Sequence, residues 1–249
     1  MYQIAKYCAS GNDFVIFHAF DNQDRSLLAR ELCDRQNGIG ADGLIVLIPH
    51  EQFDFEWQFY NADGSTASMC GNGSRACAHY AHRFGLAKAK MAFLTGAGVI
   101  KAQVDGEMVQ SDLTPPLILE KEIDEGGMRW WLIDTGVPHL ITFDADIDHF
   151  NIDMARALRH RYNANVNIAS VNLDGTLRVR TYERGVEDET LACGTGMAAS
   201  FYRANQEGKV GEKTQVFPKS GETLYLGLDE GTITFKGEVK GVFETYWRL

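Results

Sequence analysis

The sequence contains the same short pattern, Cys-Gly-x-Gly, at residues 70–73 and again at residues 193–196. Each copy follows a strand-like segment with a polar end and precedes a segment with helical spacing of apolar residues. Gly98 and Gly221 lie at equal distances after the two cysteines, and each opens another strand-like segment. Repetition of a whole supersecondary unit predicts two halves of related structure, each with one cysteine at the start of a helix.

A cysteine in each of two facing halves suits the inversion of a carbon centre by proton transfer, which needs a base on one face and an acid on the other. The N-terminus of a helix carries partial positive charge and unpaired N–H groups. It lowers the pKa of a thiol toward neutrality, where thiol and thiolate are both accessible. The same N–H groups can bind a substrate carboxylate, and glycine lets the backbone approach the ligand.

Charge and composition exclude several classes of protein. The chain has 249 residues and a net charge of −10, with no run of basic residues, so nucleic acid is not an expected partner. The N-terminus does not resemble a signal peptide, and the longest apolar run, residues 44–48, is too short to cross a bilayer. We expect a cytosolic protein without a membrane partner.

The five cysteines, Cys8, Cys33, Cys70, Cys77 and Cys193, are an odd number and are expected to be free thiols in the cytosol. Cys8, Cys33 and Cys77 are interpreted as small core residues. No Cys-x-x-Cys pair occurs, so no metal is expected.

Strand-like alternation dominates the sequence, most clearly at residues 53–61 and 177–183, where Asn61 and Glu183 end the inward-facing sides. The two prolines of Thr114-Pro115-Pro116 predict the junction of the two halves. Four helices are predicted, at about Ser26–Arg35 with Ser26 as cap, Ser74–Phe84, Asp153–Tyr162 and Gly196–Gln206. His79 and His82 are predicted on the exposed side of the second helix.

The chain resembles the diaminopimelate epimerase family, whose motifs occur here in the family's order over nearly the whole length. The matching segments are Gly-Asn-Asp-Phe at 11–14, Asn-Ala-Asp-Gly at 61–64, Met-Cys-Gly-Asn-Gly at 69–73, Pro-His at 138–139, Asn-Val at 165–166, Tyr-Glu-Arg-Gly at 182–185 and Ala-Cys-Gly-Thr-Gly at 192–196.

The resemblance implies an α/β (α+β) fold of two pseudo-symmetric domains, each a β-barrel-like sheet wrapped around a central helix. We expect residues 1–114 to form the first half, completed by a returning strand at 242–249, and residues 115–241 to form the second. It further implies a cofactor-independent isomerase that inverts an α-carbon of LL-diaminopimelate to give the meso form, in lysine and peptidoglycan-precursor biosynthesis. A homodimer is a possible assembly.

Carried over by position, the resemblance implies two acid/base thiols, Cys70 and Cys193, supported by His139 and Glu183. It implies substrate contacts from Asn12, Asn61, Gly71, Asn72, Asn165, Glu183, Arg184, Gly194 and Thr195. The fork of Arg184 is expected to bind the distal carboxylate.

Two departures from the family's pattern bear on substrate identity: Val137 replaces a usual asparagine before Pro-His, and Gly43 replaces a usual glutamine. Two alternatives therefore stay open at this point. One is a related racemase or epimerase of the proline or hydroxyproline type, which commonly has histidine where this chain has Asn72. The other is a non-catalytic ligand-binding or redox protein on the same fold.

Overall fold

A computed structural model describes residues 2–144 and 146–248. Its residue contacts divide the chain into two compact units, Met1–Ser111 with Lys236–Leu249, and Asp112–Phe235.

The first unit is a mixed sheet around one helix. Its elements are β1 (Tyr2–Ala9), β2 (Asn12–His18), α1 (Ser26–Cys33), β3 (Gly43–Ile48), β4 (Phe55–Asn61), α2 (Gly71–Arg83), β5 (Lys90–Thr95), β6 (Gly98–Asp105) and β7 (Met108–Asp112). The strands pair in chain order, with β2–β3 and β4–β5 parallel and the other pairs antiparallel.

The second unit repeats the strand–helix alternation of the first. Its elements are β8 (Leu117–Glu125), β9 (Met128–Asp134), β10 (Pro138–Phe143), α3 (Ile152–Tyr162), β11 (Asn165–Val171), β12 (Leu177–Glu183), β13 (Asp188–Thr190), α4 (Gly194–Gln206), β14 (Lys213–Phe217) and β15 (Leu224–Asp229). The pairing path runs β8–β9–β10–β11–β12–β14–β15, and β13 pairs with β12.

The last strand, β16 (Thr232–Trp247), contains the boundary between the units. Its second part pairs antiparallel with β1, from Val239 opposite Ala9 to Trp247 opposite Tyr2. Since β7 also pairs with β16, the sheet of the first unit closes on itself. The α/β fold with a barrel-like sheet and a central helix in each half is confirmed.

Helix α2 fits inside the closed sheet because most residues of its first two turns are small. Every residue from Gly71 to Ala78 is buried, and the apolar ones pack against rings and aliphatic side chains such as Tyr7, Phe14 and Phe93. A helix buried all round is typical of the centre of a core rather than its surface. β3 is buried on both faces, with Ile45 facing α2 and Leu44 facing the α1 side.

Helix starts differ from the sequence prediction. α2 begins at Gly71 rather than Ser74, and α4 begins at Gly194 rather than Gly196, so the glycines lie inside the first turn. Their small size makes close packing possible there, and this steric demand does not show in helix propensity.

α1 begins as predicted at Ser26, but Ser26 is not its cap. Arg25 occupies that position, and the Ser26 hydroxyl donates to Asp24 instead. α1 ends at Cys33 because the Asp34 carboxylate accepts the N–H groups of Gln36 and Asn37 and turns the chain.

Candidate active site

Cys70 occupies the N-cap position of α2, directly after the loop that follows β4. Its backbone is extended (φ −148°, ψ 114°), and its Sγ accepts the Gly73 N–H at 3.4 Å. The first intrahelical bond is donated by Ser74 N–H to the Cys70 carbonyl, at 2.8 Å. The N–H groups of Gly71 and Asn72 precede this bond, and such first-turn groups have no partner within a helix. They stand beside a half-buried thiol and can bind an anion.

The polar residues of the first half-site form one hydrogen-bonded chain. Asn72 Nδ2 donates to Asn12 Oδ1 at 2.6 Å, and Asn12 Nδ2 donates to Asp42 at 3.1 Å. The fully buried Arg75 donates to Asn72 Oδ1 and to Ser10, both at 2.7 Å. The structure therefore brings Asn12 and Asn72 together, and Arg75 holds their orientation.

Asn61 ends β4, and its side chain is held by the turn that follows. Its Nδ2 donates to Ser65 Oγ at 2.9 Å, and Asp63 accepts from the same hydroxyl at 2.6 Å. The Asn61 backbone N–H also donates to the Ser65 carbonyl. This turn fixes the Asn61 amide, which remains a predicted substrate contact.

Cys193 occupies the same position at the start of α4 and is 7% exposed. Its backbone is again extended (φ −126°, ψ 107°), and Met197 N–H donates to its carbonyl at 2.9 Å. Its Sγ lies 3.5 Å from the Thr195 hydroxyl, within hydrogen-bond reach. Gly194 and Thr195 supply the first-turn N–H groups, as Gly71 and Asn72 do in the other unit.

His139 is fully buried and reaches Cys193 through Thr195. Its Nε2 lies 2.9 Å from Thr195 Oγ1, and its Nδ1 lies 3.0 Å from Asn167 Nδ2. Burial lowers the pKa of His139 to about 3, so the ring is neutral at physiological pH. The ring therefore acts as a neutral hydrogen-bonding group beside Thr195.

Asn165 links His139 to the turn that carries Arg184. It pairs with His139 across parallel strands, and its Oδ1 accepts the Arg184 backbone N–H at 2.7 Å. The half-buried Arg184 side chain donates to the Asn163 carbonyl at 2.9 Å. Glu183 ends β12 one residue earlier, and burial raises the pKa of its carboxyl. The second unit thus gathers all its predicted site residues around the β10–β12 strand ends and the start of α4.

Sequence reasoning missed three buried polar residues behind the site: Arg75 in the first unit, and Asn167 and Thr181 in the second. The signal available was polarity at positions where the pattern demands an apolar residue. His79 was predicted to be exposed, which is wrong. It is half-buried, and its ring contacts the Tyr7 hydroxyl at 3.4 Å.

Gly43, where the family usually has glutamine, lies where a side chain has little room. A Cβ there would be 2.8 Å from the Tyr60 carbonyl and 3.3 Å from the Phe59 ring. Val137, at the other departure, precedes β10 and is half-buried.

The remaining cysteines and possible metal ligands add no second centre. None of the five cysteines forms a disulfide; Cys33 and Cys77 are buried and Cys8 is half-buried. Within residues 2–144 and 146–248, no three His, Cys, Asp or Glu side chains are grouped so that they could hold a metal ion. None of the described helices is both long and apolar enough to cross a membrane.

The fold is shared with solved structures of racemases and epimerases. A probable proline racemase from Agrobacterium radiobacter K84 superposes with a TM-score of 0.78, covering 100% of this chain and 93% of that one at 16% identity. A hydroxyproline epimerase from Agrobacterium vitis gives a TM-score of 0.73, covering 98% and 91% at 16% identity. At such identities the likeness concerns the fold.

The sequence comparisons are more specific. The diaminopimelate epimerase profile matches residues 4–118 and 131–240, and the chain belongs to this family. The diaminopimelate epimerase of Nitratiruptor sp. is 61% identical over 98% of both chains. That of Campylobacter jejuni is 53% identical over 98% of both, and that of Helicobacter pylori is 42% identical over 94% of this chain and 92% of the other.

Proposed function

We infer that the protein is a diaminopimelate epimerase, an isomerase that acts on an amino acid in lysine biosynthesis. The observation that carries this inference is full-length identity of 53–61% to diaminopimelate epimerases, together with a cysteine at the start of each central helix. Gly43 and Val137 depart from the family's usual residues, but the chain keeps this level of identity to diaminopimelate epimerases despite them.

We propose that Cys70 and Cys193 exchange protons with the α-carbon from opposite faces. One thiolate removes the α-proton and becomes a thiol, and the other thiol delivers its proton and becomes a thiolate. The proton that is removed and the proton that is delivered balance, so the inversion itself needs no cofactor. Exchange of protons with water then restores the starting protonation of the two thiols. The N-cap position of both cysteines supports the proposal, because it places each thiol at the positive, N-terminal end of a helix, where a thiolate is favoured.

First-turn N–H groups are proposed to bind the carboxylate next to the reacting carbon. Those of Gly71 and Asn72 serve in one unit, and those of Gly194 and Thr195 in the other. Negative charge spreads onto this carboxylate when the α-proton leaves, and fixed N–H dipoles stabilise developing charge most effectively where water is excluded. Asn12, Asn61, Asn165, Glu183 and Arg184 are proposed to hold the rest of the substrate.

The test uses LL-diaminopimelate in deuterated water. Deuterium should appear at the inverted α-carbon of the meso product. Cys70→Ala and Cys193→Ala should each lower turnover by orders of magnitude while leaving the circular dichroism spectrum unchanged. Cys77→Ala, which alters a fully buried thiol in the same helix as Cys70, is the matched control and should keep its activity.

Full inversion by either alanine variant would refute the two-thiol reaction. Label on proline but not on diaminopimelate would assign the chain to the proline racemase type instead. Unlabelled diaminopimelate and proline together would favour a binding protein on this fold.

A cytoplasmic homodimer without nucleic-acid or membrane partners is the setting we propose for this activity. None of the five cysteines forms a disulfide, which supports a reducing compartment. Exposed apolar side chains on β16, with Val242, Phe243 and Tyr246 at 54%, 46% and 63%, support self-association. Light scattering should give twice the monomer mass, and a monomeric mass would contradict the dimer.

A further inference from the structure

The strand positions that support the two cysteines correspond in register but differ in polarity. In the first unit β2, β3 and β4 lie side by side, and in the second β10, β11 and β12 do the same. When the two groups of strands are aligned by their pairing register, Phe14 corresponds to His139, Ile45 to Asn167 and Phe59 to Thr181. The three residues of the first unit are an apolar set, and the three of the second unit are a polar set.

The glycines of the two motifs confirm this correspondence independently. A Cβ on Gly73 would contact Phe59 at 3.1 Å and Ile45 at 3.3 Å. A Cβ on Gly196 would meet Asn167 at 2.3 Å and Thr181 at 3.1 Å. The same glycine therefore rests on the same two strand positions, which are apolar behind Cys70 and polar behind Cys193.

The polar set is buried at a cost that the apolar set avoids. Asn167 and His139 are inaccessible to solvent, and Thr181 is 3% exposed. Burying such groups is unfavourable unless each is hydrogen-bonded. Here they bond to one another, and the chain of bonds ends at Cys193.

The direction of each bond follows from groups that can only accept. Asn167 Nδ2 lies 3.3 Å from the Leu140 carbonyl, and Asn167 Oδ1 accepts from the Thr181 hydroxyl at 2.8 Å. The Asn167 amide is thereby oriented with its NH₂ toward His139, whose Nδ1 must accept. A neutral imidazole with an accepting Nδ1 carries its proton on Nε2.

Two groups lie near His139 Nε2: Thr195 Oγ1 at 2.9 Å and Asn165 Nδ2 at 3.4 Å. An amide nitrogen cannot accept a proton, so the Nε2–H donates to the nearer group, the Thr195 hydroxyl. The hydroxyl accepts on its oxygen, so its own hydrogen can turn to Cys193 Sγ at 3.5 Å. Arg184 is the charged group that acts on His139, and its charge also opposes protonation of the ring. The His139 ring therefore carries a single proton, on Nε2, and donates it to Thr195.

We propose that Asn167, held by Thr181, is a positioning residue that orients His139 and Thr195 so that the Thr195 hydroxyl stabilises the Cys193 thiolate. This inference builds on the two-thiol reaction proposed above and adds that the two thiols are supported differently. Cys70 has a backbone N–H donor from Gly73 and an apolar scaffold, whereas Cys193 has a side-chain donor with its own network.

The test measures the alkylation of Cys193 by iodoacetamide at a fixed neutral pH, with peptide mapping to follow each cysteine separately. Asn167→Leu gives the second unit an aliphatic residue where the first has Ile45. It should slow alkylation of Cys193 about tenfold, the effect of one lost hydrogen bond to a charged group, and leave Cys70 unchanged. Asn205→Leu, a substitution of the same kind at the far end of α4, is the matched control and should alter neither rate.

A second pair of variants keeps the test decisive if Asn167→Leu does not fold. Thr195→Val removes the hydroxyl at nearly constant volume and should slow Cys193 to the same extent, whereas Thr195→Ser should restore the parent rate. An unchanged Cys193 rate in the leucine and valine variants, or an equal fall at Cys70, would overturn the inference. The alkylation assay uses no substrate, so its result does not depend on the two-thiol reaction. Failure of the two-thiol reaction would be seen in the turnover assay instead, as epimerase activity retained by Cys193→Ala.

Discussion

Replacing Gly196 by alanine tests the packing between α4 and the buried network directly. An added Cβ would lie 2.3 Å from Asn167 Oδ1 and 3.1 Å from the Thr181 hydroxyl. Alanine favours a helix over glycine by up to about 1 kcal/mol. Two effects oppose this gain. Overpacking costs about 1–3 kcal/mol, and the Asn167 hydrogen bonds with Thr181 and His139, which must break, cost about 1 kcal/mol each. We expect Gly196→Ala to be less stable by roughly 2–4 kcal/mol.

Urea unfolding followed by circular dichroism measures this difference. Gly211→Ala is the control, because a Cβ there meets nothing within 4 Å, and its stability should stay near that of the parent. Adding Asn167→Ala to Gly196→Ala removes the atom that clashes, so the double variant should lose less than the sum of the two single changes. Equal stability of Gly196→Ala and Gly211→Ala, or strict additivity, would refute the reasoning.

Three further outcomes are expected. Because burial lowers the pKa of His139 from 6.5 to about 3, the unfolded chain binds a proton there at acidic pH that the folded chain does not. The stability due to the neutral ring is thus present above pH 6.5 and falls by about 2 kcal/mol from pH 7 to pH 5. His139→Gln should lose this component in urea titrations and the exposed control His149→Gln should keep it; identical pH dependence in both would contradict the assignment. Arg184→Lys should weaken binding of diaminopimelate by about 1–3 kcal/mol in calorimetry, since a planar fork becomes a point charge, and unchanged affinity would place the distal carboxylate elsewhere. Asn163 ends α3 in the left-handed conformation (φ 49°), so Asn163→Val should lower the melting temperature and Asn163→Gly should not; equal melting temperatures would show that this cap is not strained.

Much of the fold could be predicted because the repeat, the apolar spacing and the turn residues act locally. The four helices and the strands that end at Asn61 and Glu183 lie where the sequence placed them, with starts that differ by up to three residues. The positions of Cys70 and Cys193 at helix starts followed from the glycines around them, and the structure confirms these positions.

The supporting network could not be predicted, because its members are distant in sequence and are polar residues in otherwise apolar strands. The partners of Asn167 are known only when β10 and β12 are placed on either side of β11. The partners of Arg75 are known only when β1 and β16 are placed around α2. Such residues are recognised by their partners and not by their local pattern, and the roles assigned to the site residues stay predictions until tested.

The path of β16 imposes an order on synthesis. The first unit needs Lys236–Leu249 to close its sheet, yet these residues are the last to be translated. Residues 112–235 occupy the ribosome for roughly 6–25 s at about 5–20 residues per second. During that interval β1 is paired only with β2, and β7 only with β6, so each has one unpaired edge. An unpaired strand edge is open to pairing with another chain. The half that is made first is therefore finished last, and a chain that stops short of β16 leaves an open barrel, whatever the state of the second unit.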